Sequence, residues 1–140
     1  DGDFQQQFLA QRLAPLDAGK TLADIADRLI PSMVAPGSTA PALALARESM
    51  AAIAPDTYRA ALRALLQFEQ RAALPTITVP VLCLAAEHDR TAPPSVMARM
   101  AQKIPGARDV CLPDAGHLMQ YEQPTAFNAE LEKFLKDVKP

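Results

Sequence analysis

The 140-residue chain has no tryptophan, and aromatic residues make up only 5% of it. Charge of one sign is also missing: 14 Lys and Arg stand against 16 Asp and Glu, a net charge of −2. A near-neutral surface argues against a nucleic-acid partner, which calls for a basic stripe. No apolar run approaches the roughly 20 residues of a membrane span. Only two cysteines occur, Cys83 and Cys111. Two are too few for a disulfide scaffold, and their apolar neighbours predict buried thiols in a reducing, cytoplasmic setting. The chain opens Asp1-Gly2-Asp3, with neither an initiator Met nor a basic leader. This predicts that it is not a secretory precursor and that Asp1 is not a translation start. What is present is apolar content of 49%, enough for a core.

The two parts of the chain differ in composition. Of 27 alanines, 18 precede Leu74, a helix-former bias. Phe4, Phe8, Leu9, Leu13 and Leu16 line one helical face, closed by Gly19. Thr21 with Asp24 three residues on predicts a capped helix carrying Leu22, Ile25, Leu29 and Ile30. Pro31, Pro36, Gly37 and Pro41 break the chain into a loop. A third helix is expected over about 42–53, and a fourth capped by Asp56, with Tyr58, Leu62, Leu65, Leu66 and Phe68. After Leu74 the pattern changes. Pro75 to Pro80 predicts an extended connector. Val81 to Ala86 is a continuous apolar run of strand length, as parallel strands are. A helix over about 95–104, a strand over 107–112 and a helix from Gln123-Pro124 to about Val138 follow. Strand–helix–strand–helix implies an α/β class with a parallel sheet. Two strands make a poor sheet, so the second part reads as the edge of something larger.

Chemistry-bearing residues gather behind both strands. Glu87-His88-Asp89-Arg90 follows the first, and Asp114-Ala115-Gly116-His117 follows the second. In parallel sheets, ligand sites lie at the carboxyl ends of strands. An acid beside an imidazole fixes its tautomer and stabilises the imidazolium, freeing the other nitrogen to act as a base. Asp89 and Glu87 both qualify as that acid by position. Asp114 is read as a brace for the loop and His88 as a turn residue. Gly116 is read as a backbone turn that few other residues tolerate. A metal set of Glu87, His88, Asp89 and His117 lacks the close spacing of ligands on one helix face. Ser32, Ser38, Ser49 and Ser95 read as loop, cap or helix-surface residues.

Val79 to Pro94 resembles the acid-bearing segment of α/β-hydrolases. Ile104-Pro105-Gly106-Ala107, Pro113 to His117 and Glu122-Gln123-Pro124 with the closing helix resemble their histidine-bearing end. The resemblance covers residues 75–138. The helices before it, with Gln5-Gln6-Gln7 and the tail of the fourth helix, are similar to the lid of the 3-oxoadipate enol-lactonase and esterase branch. The resemblance implies residues 1–74 as a helical lid and 75–140 as the C-terminal part of the hydrolase core. It implies Asp89 as the catalytic acid and His117 as the general base, with Leu118 and Met119 as substrate-binding neighbours. It implies an ester or lactone substrate, and no metal or organic cofactor.

The family's order along the chain is Ser, then acid, then His. None of the five glycines, Gly2, Gly19, Gly37, Gly106 and Gly116, forms G-x-S-x-G. The resemblance therefore places the nucleophile and oxyanion hole on a missing N-terminal half, in the same precursor or on a second chain. Two other readings stand beside this one. One is a non-catalytic helical binding module derived from the fold. The other is a different α/β-hydrolase chemistry, such as a dehalogenase or carbon–carbon hydrolase.

Overall fold

A computed structural model describes residues 2–38 and 40–138. Four helices come first: α1 (Gly2–Asp17), α2 (Leu22–Leu29), α3 (Ala40–Ala51) and α4 (Pro55–Gln67). Then follow β1 (Leu82–Ala86), α5 (Pro94–Ala101), β2 (Arg108–Leu112), a single turn α6 (Met119–Glu122) and α7 (Pro124–Asp137). The strands pair in parallel, with Leu82 opposite Arg108 and Ala86 opposite Leu112. The chain is mainly helical in its first half and carries a small parallel sheet in its second.

Local chemistry explains several element ends. Gly19 ends α1 at φ 80°, with its N–H on Leu16 O and the Lys20 N–H on Pro15 O. That pair of bonds is a Schellman ending. Thr21 and Asp24 form the full reciprocal capping box at the start of α2. The helix before Phe68 departs from expectation. It starts at Pro55, with Ala54 as N-cap and no side-chain cap bond. Proline presets φ at the first helical position and has no N–H to satisfy, so Asp56 falls inside the first turn, where its charge faces the helix dipole. The connector after it is not extended throughout. Residues Arg71–Thr76 form a 3-10 helix through Pro75. Leu74 and Ile77 pack there against Cys83, Ala101 and Ile104, which folds the chain back onto the sheet.

The two faces of the sheet are covered by different helices. Cys83 packs with Ala101 and Ile104 of the α5 side. Ala86, Leu112 and Ala115 pack with Phe127 and Ala126 of α7 on the other. Arg108 adds an ion pair with Asp137 at 2.8 Å and lies over the Phe134 ring, tying β2 to α7. Cys83 is buried but Cys111 is exposed, against the expectation for both thiols. Cys111, on β2, lies outside the cluster of Cys83, Ala101 and Ile104 that covers β1.

The helical half has its own core of Leu13, Leu16, Leu22 and Ile25, joined by Tyr58 and Leu62. Phe8 lies under the Arg12 guanidinium, while the side chain of Phe4 falls outside the described residues. A second cluster, Ala26, Ile30 and Ala46, takes in Leu118 and Tyr121 from the far end of the chain. The helices are therefore seated on the loop that carries His117.

Candidate functional site

The parallel register levels the carboxyl ends of β1 and β2, so both following loops emerge at one edge. Backbone bonds then join those loops. Glu87 N–H donates to Leu112 O at 2.9 Å and His88 N–H to Ala115 O at 2.8 Å. This stitching brings Asp89 beside His117, 28 residues on. The distance between His117 Nδ1 and Asp89 Oδ2 is 2.9 Å.

Asp89 is the buried charged side chain among the described residues, at 5% exposure. Its other oxygen, Oδ1, accepts from Thr91 N–H at 2.7 Å and Ala92 N–H at 2.9 Å. Burial pushes the carboxyl up. The bonds from Ala92, His117 and Thr91 outweigh that push, and the net shift is downward. The carboxylate is thus held charged, with every oxygen engaged. His117 keeps a third of its side chain accessible. Its Nε2 has no hydrogen-bond partner among the described residues. An imidazole oriented at Nδ1 and open at Nε2 can take a proton from a neighbouring group and return it.

The other residues singled out from sequence fall as follows. Glu87 is exposed, and its carboxylate accepts from Asp114 N–H at 3.1 Å, so it braces the loop and does not touch His117. Asp114 takes φ 52° and braces the same loop through its backbone, its carbonyl accepting from Gln123 Nε2. Gly116 is needed for room, not for a left-handed turn. A Cβ there would lie 2.6 Å from Met33 O and 2.7 Å from Ala35 N. Leu118 packs into the Ala26–Ile30–Ala46 cluster and Met119 into the Ala86–Leu112–Ala115 cluster, so both carry core contacts. The carboxylates and imidazole that do approach one another as metal ligands would are Glu87, His88 and Asp114, all exposed, and not the set containing Asp89 and His117. An open cleft of about 370 Å³ lies between the 31–36 segment and the Glu87–Arg90 turn, with Asp89 in its wall.

Sequence reasoning gave Ser38 only a loop, cap or helix-surface place and Glu122 no role of its own. Glu122 accepts from Ala35 N–H, Ser38 Oγ–H and Gly116 N–H. Its partners at 35 and 38 lie more than 80 residues away, and no local periodicity reports a contact of that span.

Comparison with known proteins agrees with this arrangement. Residues 3–124 match the model of the alpha/beta hydrolase fold family. Over 81 residues the chain is 38% identical to a Caulobacter sp. (strain K31) protein that carries the name carbamate hydrolase RutD, covering 58% of this chain and 30% of that one. Among solved structures, an enol-lactonase from Burkholderia xenovorans LB400 superposes with TM-score 0.80 at 27% identity, over 93% of this chain and 50% of the other. A thermophilic esterase from Thermogutta terrifontis superposes with TM-score 0.86 at 24% identity, over 100% of this chain and 52% of the other. The chain thus spans about half the length of these solved structures and under a third of the Caulobacter relative. A parallel two-strand edge, loops leaving it level, and the match over residues 3–124 lead to one conclusion: the chain belongs to the α/β-hydrolase fold family.

Proposed function

We propose that this chain supplies the acid and base of an ester or lactone hydrolase of the serine type. The observation that carries the reading is the 2.9 Å Asp89–His117 bond at the level ends of two parallel strands. The likeness to an enol-lactonase at 27% identity supports the substrate class. In the complete enzyme a serine on a G-x-S-x-G turn, contributed by an N-terminal half in the same precursor or on a second chain, attacks the carbonyl. His117 Nε2 takes the serine proton and delivers it to the leaving oxygen. Asp89 holds Nδ1–H and stabilises the imidazolium. Backbone N–H groups of the N-terminal half hold the oxyanion. The four helices before the connector act as a lid over a small, partly apolar substrate. The setting is cytoplasmic.

The test is to co-express the chain with the N-terminal half of a family member that carries G-x-S-x-G, and to assay aryl esters. Hydrolysis is expected on assembly, and His117→Ala is expected to lower kcat about a thousandfold or more. Activity that survives His117→Ala sinks the assignment. An assembled complex that stays inert favours the non-catalytic binding reading.

A further inference from the structure

The Glu122 carboxylate joins two segments that are remote in sequence. Oε1 accepts from Ala35 N–H at 2.7 Å and from Ser38 Oγ–H at 2.6 Å. Oε2 accepts from Gly116 N–H at 3.0 Å. Met33 O accepts from His117 N–H at 2.7 Å. The two peptide groups on either side of Gly116 Cα are therefore both held by atoms from outside their own turn. The fit leaves no slack, because a Cβ at 116 would strike Met33, Val34 and Ala35 backbone atoms at 2.6–2.7 Å.

We infer that Glu122 is a positioning residue: with the 33–38 turn it fixes the peptide frame of Gly116-His117 and so aims His117 Nδ1 at Asp89. The inference rests on the reading of His117 as the base and extends it to a residue that touches neither partner of the pair. Bonds to a charged acceptor are worth more than neutral ones, and one carboxylate here makes three. Glutamine at 122 keeps the shape but replaces one acceptor oxygen with an NH2, which then faces a donor. The Ser38 hydroxyl has a second acceptor within reach, Ala35 O at 2.9 Å, so its loss is the milder change.

The test uses the 15N-labelled 140-residue chain near neutral pH, with two readouts. The first is the ring-nitrogen spectrum of His117, which reports its tautomer. The second is amide hydrogen exchange at Ala35, Gly116 and His117, against β1 and β2 amides as the control for folding. The wild-type ring is expected as the Nδ1–H form. Glu122→Gln and Glu122→Ala are expected to mix the tautomers and to speed exchange at Ala35 and Gly116 about tenfold or more, with β1 and β2 unchanged. Ser38→Ala is expected to move the same signals in the same direction by less, and it decides the matter if the Glu122 variants do not fold. A ring that stays Nδ1–H, with slow exchange at Gly116, in Glu122→Gln or in a lone folded Ser38→Ala overturns the inference. Asp89→Asn separates the two claims. If it leaves the His117 ring unchanged, the acid–base pairing fails. If it moves the ring while the Glu122 variants do not, only the positioning role fails.

Discussion

Asp89 shows how a single side chain connects stability and chemistry. It is nearly inaccessible, and its two oxygens carry three bonds. Asp89→Ala leaves two loop N–H groups without an acceptor and is expected to cost about 1–3 kcal/mol in denaturant unfolding. Its pH signature has a definite sign. The folded carboxyl titrates below its unfolded value, so its contribution is complete above the unfolded value and is lost as pH falls through the folded one. Wild type should therefore lose stability below about pH 4, and Asp89→Asn should show a flatter profile there. Asp24, Asp27 and Glu69 are also shifted down by hydrogen bonds, but they lie at the surface and are screened by solvent. Gly116→Ala is the second sensitive substitution. The added methyl meets backbone, which cannot rotate away, and should cost about 1–3 kcal/mol, measured by equilibrium unfolding. The candidate pair was legible because each residue lies in the loop after a strand; position alone left Glu87 beside Asp89, and the resemblance of the segment chose between them. The reason for Gly116 was not legible, because the obstructing atoms belong to residues 33–35.

At the scale of elements, legibility followed the range of the interaction. The α1 ending and the α2 capping box are contacts within five residues, and the sequence pattern shows both. The start of α4 and the turn through Pro75 depend on packing or on competing local signals, and there the pattern misled; the one-turn α6 it did not show. The helical half stands mainly on its leucine and isoleucine contacts. Leu22 is 3% exposed in the cluster with Leu13, Leu16 and Ile25. Leu22→Ala should cost about 2–5 kcal/mol in chemical denaturation, more than any exposed change in α3 or α4.

Across the whole molecule, the order of elements and the family were readable, while the seating of the helices on the histidine loop was not. That seating runs through Leu118 and Tyr121 in one apolar cluster and through Glu122 in a polar one. It predicts one cooperative transition for helices and sheet together. The cysteines can report it. Burial raises the Cys83 thiol; desolvation, with Glu87 and then Asp109, raises Cys111. Alkylation of both should quicken with pH. Cys111, exposed, should label in the native chain, and Cys83 only as the fold opens. The denaturant dependence of Cys83 labelling should match the loss of helical circular dichroism; separate midpoints would show two independent units. The missing space at Gly116 carries a consequence for grafting. A donor helical half transplanted from another hydrolase brings its own chain path past this point. The transplant should succeed only when residues 33–38 and Glu122 are kept as one unit with Gly116-His117 and the donor helices keep an apolar face that receives Leu118 and Tyr121.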